Sequence, residues 1–356
     1  MAFKFGNIQV FPHHYFFDFM KWRKFTVGFS ALLVLASFVI MGVKGLNYSI
    51  DFLGGAEIEI SFLKEGMTRE NLVSAIQKLG ISHVEVTQAQ HALGTRQNLF
   101  PSYVIRIQRE KGQDENATTS RADLLVSSLK KQWGENFFQV ASITNISGKI
   151  GREDELKGYL ALLLACIGIL IYIAFRFDAR FAPGAVLCLL HNVFIALAFM
   201  TLLGRPFTTT SLAAFLTIVG YSINDTVIVY DRIRETRLLQ PKMSLVDVVN
   251  KSISQTMNRT VLTSSTGILA LLVLVILGGG SVENFAMTML VGVIVGTYSS
   301  IYVAAPLTLM MDHLYQKWGW TSQLSTEKVG GQKSVREKAH DAPPIHLRKK
   351  SIQEKK

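Results

Sequence analysis

The chain has 356 residues, 49% of them hydrophobic and only 18% charged, with a mean hydropathy of +0.28. That composition excludes a disordered chain and an ordinary soluble enzyme, which carries about 25% charged residues. It fits a polytopic membrane protein with one sizeable soluble part. A net charge of +11 suits either a nucleic-acid binder or a membrane protein with basic cytoplasmic loops, so the position of the charge has to decide.

Six runs are apolar and long enough to cross a bilayer, which takes roughly 20 residues. They fall near Phe25–Val43, Tyr159–Phe175, Phe181–Leu203, Ser211–Tyr230, Thr260–Leu277 and Phe285–Met311. The first follows a basic lead-in in residues 1–24, but Met41-Gly42-Val43-Lys44 offers no small-x-small cleavage site, so it reads as an uncleaved span. With the N-terminus in the cytoplasm, the inner segments 1–24, 176–180, 231–259 and 312–356 hold 22 of the 37 Lys and Arg. The short outer loops hold only Arg205. Both termini are therefore expected inside, topology accounts for the basic charge, and no nucleic-acid partner is implied.

Residues 44–157 are the only outer segment able to fold alone, and their 14 basic residues are balanced by 14 acids. Alternation predicts strands over Glu57–Phe62, His83–Gln90, Tyr103–Gln108 and Phe138–Ile146. Helices are predicted over Thr68–Leu79, opened by Thr68-x-x-Asn71, and over Ala122–Trp133, ended by Gly134. The order β-α-β-β-α-β is that of a ferredoxin-like α+β sheet with two helices on one face. His83 and His91 are isolated and read as surface residues.

Residues 158–311 carry the second to sixth spans, joined by a basic inner loop at 231–259. In that loop Ser244-x-x-Asp247 opens a helix with Leu245, Val246, Val249, Ile253 and Met257 along one side. It either lies on the membrane surface, in contact with lipid, or packs on the inner ends of the spans. The tail, 312–356, is basic and from about 321 has the composition of a disordered segment.

Asp225 is the only carboxylate within the six spans. An ionised Asp in hydrocarbon costs at least ~2.5 kcal/mol, so it must be paired, protonated or hydrated, and such residues are candidates for proton relays. The alternative is an Asp that only bonds a neighbouring helix. Arg259, at the start of the fifth span, can approach it from the same end of the bundle, lowering the Asp pKa where desolvation raises it. Tyr221, Asn224, His191, Asn192, Thr263 and Ser264 supply further polar groups. Gly292, Gly296, Ser300 and Ala304 recur every fourth residue in the last span and read as a helix-packing face. Cys166 and Cys188 both fall in apolar runs and form no metal or disulfide motif. With no Walker-type loop, zinc signature or GxSxG, the chain is not expected to be an enzyme or to hold a cofactor; protons would be its coupling ion.

Several stretches together resemble the SecF family, the smaller subunits of the bacterial SecD–SecF protein-export complex. They are Asp18–Arg23, Asp51-Phe52-Leu53-Gly54-Gly55, Val219–Thr226, Tyr230–Glu235 with Asp231 and Arg232, and Asn258-Arg259-Thr260. The resemblance implies one six-span half of a twelve-span unit of the resistance-nodulation-division superfamily, in the bacterial inner membrane. SecD would be its obligate partner, the Sec translocon channel and the unfolded translocating polypeptide the others. It implies a proton-motive-force-driven role in late translocation, with Asp225 as proton site and Arg259 as its essential cation. The family commonly has His-Asp where this chain reads His191-Asn192, which leaves Asp225 alone on this chain. A proton-coupled small-molecule or lipid exporter of the same superfamily is the alternative, although such exporters usually carry two large outer loops and twelve spans.

Overall fold

The structure is a computed structural model and describes residues 17–63, 67–79, 81, 84–89, 102–109, 115–177 and 181–317. His83, His91 and the tail beyond Lys317 lie outside the described residues. A short 3-10 turn (Phe19–Trp22) leads into helix α1 (Arg23–Lys44), then a one-turn helix α2 (Ile50–Leu53). The soluble domain follows as β1 (Gly55–Phe62), α3 (Arg69–Lys78), β2 (Val84–Ala89), β3 (Ser102–Gln108), α4 (Glu115–Trp133) and β4 (Phe138–Ile146). The remaining helices are α5 (Gly148–Arg176), α6 (Ala182–Leu202), α7 (Thr209–Leu239), α8 (Leu245–Leu277), α9 (Gly280–Ser299) and α10 (Ala305–Lys317), the last two joined by a π-helical turn over Ser300–Ala304. Among the described residues, six helical stretches are long and apolar enough to cross a membrane.

The sheet order is β2-β3-β1-β4, with every neighbouring pair antiparallel. β3 thus inserts between β1 and β2, the arrangement of a split β-α-β unit. Period-two alternation on β1 points Ala56, Ile58, Ile60 and Phe62 to one side, where they meet Leu72 and Ile76 of α3 and Leu125 and Leu129 of α4. Thr68 caps α3 by accepting from the Asn71 amide at 3.3 Å. The opposite face is charged. Arg106 of β3 pairs with Glu57 of β1 at 2.7 Å and reaches Glu85 of β2 at 4.0 Å, so one guanidinium bridges three strands.

In the membrane part α7 is central and touches α5, α6, α8 and α9. Lipid is as apolar as a leucine side chain, so close approach and polar contacts hold such a bundle together rather than hydrophobic burial. Two glycines allow close approach to α7: a Cβ on Gly158 of α5 would sit 1.9 Å from the Leu212 side chain, and one on Gly292 of α9 would sit 2.3 Å from the Ile218 side chain. At Gly296 the neighbours are Ser222 of α7 and Asn192 of α6. Ser300 is fully buried, and its hydroxyl bonds back to Thr297 O at 3.0 Å. α1 and α5 lie at the periphery and expose Phe25, Leu32, Leu35, Leu163 and Phe175.

One sequence expectation needs correction. Residues 231–259 are not a loop. α7 continues nine residues past Tyr230, α8 begins at Leu245, and only 240–244 connect the two helices. Val248, Val249 and Ile253 are buried against Phe19, Met20, Tyr230 and Ile233. The helix opened by Ser244 therefore packs on the ends of the spans and does not lie on the membrane. The run 245–277 contains no proline and no glycine before Gly267, so nothing interrupts it.

Candidate functional site

Asp225 sits near the middle of α7 with 2% of its surface exposed. Among the described residues, its buried Oδ1 has no hydrogen-bond partner. An unpaired buried carboxyl oxygen is costly, and the usual resolutions are protonation, a bound water or a partner brought in by movement. Facing the carboxyl from α8 is the hydroxyl of Ser264. That hydroxyl in turn accepts from Thr297 of α9 at 2.7 Å. Asp225 thus faces a polar seam at the junction of three helices.

Arg259 lies toward the 240–244 end of α8, exposed, and makes no ion pair with Asp225 among the described residues. Its charge is near enough to act on the carboxyl through space. Thr263 bonds back to Arg259 O at 2.8 Å, and its own carbonyl accepts the Tyr221 hydroxyl at 3.0 Å, which ties α7 to α8 one turn before Asp225. Gly267 leaves room for this tie, because a Cβ there would lie 2.9 Å from the Tyr221 oxygen. Asn224 points the other way and is exposed on the outer side of α7.

A second polar chain runs between α6 and α7. Asn192 is fully buried and donates to Ser222 Oγ at 2.7 Å, and its Oδ1 stands 3.0 Å from His191 Nδ1. His191 Nε2 is buried, with no partner among the described residues. Ser222 stands one turn before Asp225 on the same helix, so both chains converge on one stretch of α7. Neither Ser222 nor Thr297 is conspicuous in the sequence by itself. The i, i+3 relation of Ser222 to Asp225 is the available signal, while Thr297 is found only once α8 and α9 are seen together.

Asp231 and Arg232 serve the 240–244 end of the bundle. Asp231 pairs with Arg176 of α5 at 3.6 Å, and Arg232 bonds Gln255 of α8 at 2.7 Å and pairs with Glu235. At the sheet end, Asp51, Gly54 and Gly55 form the link between α1 and β1. Gly54 has a φ of 78°, and a Cβ on Gly55 would fall 2.2 Å from Ile107 O.

Comparison with known proteins bears on this arrangement. A family model described as Protein export membrane protein SecD/SecF, C-terminal, matches residues 126–314. The chain belongs to the SecD/SecF family. A second model, the SecD/SecF GG motif, matches residues 39–62, which include Gly54 and Gly55. Protein translocase subunit SecF of Magnetococcus marinus is 39% identical over 305 residues, 86% of this chain and 95% of the relative. SecF of Petrotoga mobilis is 35% identical, over 83% of this chain and 95% of its own. Among solved structures, SecDF from Thermus thermophilus, described as a translocon-associated membrane protein, superposes with a TM-score of 0.70 at 32% identity and covers 86% of this chain. A super-membrane-facing form of SecDF gives a TM-score of 0.63 at 31% identity. This SecD/SecF chain spans 40% of the length of either SecDF chain. It is a multi-pass membrane protein with a small antiparallel sheet domain between its first and second spans.

Proposed function

We propose that this SecD/SecF chain is an accessory subunit of the Sec protein translocase in the bacterial inner membrane, driven by the proton motive force. It would act with a SecD partner and the translocon channel on polypeptides late in translocation. Both termini lie in the cytoplasm, so the sheet domain faces the far side, where the polypeptide emerges.

The observation that carries the coupling is the Asp225 carboxyl, sunk among three helices with one oxygen unpartnered. Burial in general opposes the charged form of a carboxyl, and a cation that approaches it favours that form. A proton arriving on Asp225 removes the reason for Arg259 to approach, and its departure restores it. Each charge moved through a 100 mV potential supplies about 2.3 kcal/mol, enough to bias two helix packings of similar energy. Tyr221 and Ser264 link α7 to α8 and α8 to α9, so a change at the carboxyl reaches both neighbours. The curated relatives, named as translocase subunits and covered to 95% of their length, favour this reading over a small-molecule or lipid exporter.

The test is export into vesicles with and without an imposed proton gradient. Asp225→Asn, nearly isosteric and uncharged, is expected to abolish the gradient-stimulated part while leaving the gradient-independent part. A variant that keeps full gradient stimulation would reduce Asp225 to a packing residue.

A further inference from the structure

The segment between α1 and β1 is held at both of its ends. On the membrane side, the Ser49 amide donates to Phe207 O at 2.9 Å and the Phe207 amide to Asn47 O at 2.7 Å, forming a short parallel bridge. Asp51 Oδ2 accepts from the backbone N–H of Thr209 at 3.0 Å and from its hydroxyl at 3.1 Å. Thr209 is the first residue of α7, so this carboxylate sits on the positive end of the helix that carries Asp225. On the domain side, Arg109 N–H donates to Gly54 O at 3.1 Å, and Gln108 Nε2 to Tyr48 O at 2.9 Å. Between these anchors Phe52, 1% exposed, stacks on Phe207 with ring centroids 5.4 Å apart. The segment is stiff: Ser49 caps α2, and Gly54 ends it in a conformation that leads directly into β1.

The sheet domain has one other covalent tether, the short run from β4 into α5. That tether leads to a peripheral helix. α5 reaches α7 only side-on, with Gly158 packed against Leu212, whereas the segment 47–55 hydrogen-bonds the first residue of α7 through Asp51.

We propose that Asp51 is a positioning residue that couples α7 to the sheet domain. A displacement of α7 would pass through the Asp51–Thr209 contact and the stiff 47–55 segment into β1 and β3, at the centre of the sheet. The inference rests on the proton reading of Asp225, since it supplies the route by which that event would become movement outside the membrane.

The experiment uses the full chain with its SecD partner in sealed vesicles, with spin labels at Thr144 on β4 and Leu203 at the end of α6, both exposed. The native Cys166 and Cys188 are buried and stay in place. In the parent chain the distance distribution is expected to shift when a gradient is imposed and to return with an uncoupler. Asp51→Ala, at unchanged yield with SecD, is expected to lose that shift and to lower gradient-stimulated export by roughly fivefold, the scale of a lost helix cap. Asp51→Asn keeps an acceptor at the same place and is expected to retain both. An Asp51→Ala complex that shifts like the parent overturns the inference and leaves the proton reading standing. So does an Asp51→Asn complex as impaired as Asp51→Ala. If the parent itself shows no gradient dependence, the proton reading fails and the coupling falls with it.

Discussion

Gly54 and Gly55 are adjacent and chemically identical, yet their constraints differ. Gly54 combines a φ of 78° with a ψ of 163°, a region open essentially to glycine alone, so Gly54→Ala is expected to cost ~1–3 kcal/mol of local stability. Gly55 needs the space itself: a methyl 2.2 Å from Ile107 O must push β1 away from β3. Gly55→Ala is therefore expected to expose the β1–β3 amides to hydrogen exchange more than Gly54→Ala does, and equal protection in both variants would remove the distinction. Glu85, outside the membrane, shows a different constraint. Burial raises its pKa, and Arg106 only partly offsets this. A carboxyl whose folded pKa is raised binds its proton more tightly in the native state. Its effect is thus to weaken the sheet as pH rises from the ordinary glutamate range through the raised value. Exchange protection of β2 and β3 is expected to fall across that window, and Glu85→Gln should flatten the dependence. A steeper dependence in Glu85→Gln would contradict the assignment. Asp225 is legible in the sequence because a lone carboxylate in an apolar run must be paired, protonated or hydrated. The Asn192–Ser222 bond is not, because it depends on the relative rotation of two helices that no single-span pattern records.

α8 shows how an element can be half legible. Its capping pattern at Ser244 and its apolar stripe are visible in the sequence, and so is the span that follows. Their fusion into one 33-residue helix is hidden because hydropathy reports depth in the membrane, not backbone continuity. The same reason places the ends of α7 and α5 beyond their apolar runs. The projecting half of α8 is put to use. Asn250, 7% exposed, accepts from the Met20 amide at 3.0 Å and donates to Asp18 Oδ1 at 2.8 Å, which pins the turn before α1. Asn250→Ala is expected to cost about 1–2 kcal/mol, two hydrogen bonds of ordinary net worth, and to speed exchange in residues 18–22. Asn250→Asp should be worse, since it sets two carboxylates side by side. If exchange at the Met20 amide did not respond to either change, the segment would be held by Phe19 and Met20 packing alone.

At the scale of the whole chain, the order β-α-β-β-α-β and six spans follow from period and length. What these patterns leave open is which side of the bundle meets another protein. α7 is central, yet it presents an outward stripe of Ala213, Thr217, Gly220 and Asn224. A carboxamide left facing hydrocarbon is penalised by on the order of several kcal/mol. Gly220 adds to the anomaly. A mid-helix glycine costs about 1 kcal/mol against alanine, and a Cβ at this position would meet nothing within 4 Å, so packing inside the chain does not require it. Glycines of other helices that face α7, such as Gly158, Gly267, Gly292 and Gly296, do meet neighbours there. A small, polar stripe with no occupant among the described residues suits a second membrane helix approaching closely, and the solved SecDF chains are long enough to supply one from their other part. Gly220→Leu is therefore expected to leave the chain folded, with normal exchange protection in the sheet domain, while lowering co-purification with SecD by tenfold or more. Retained co-purification would move the contact to another face of the bundle, and α7 would then reach SecD only through its ends.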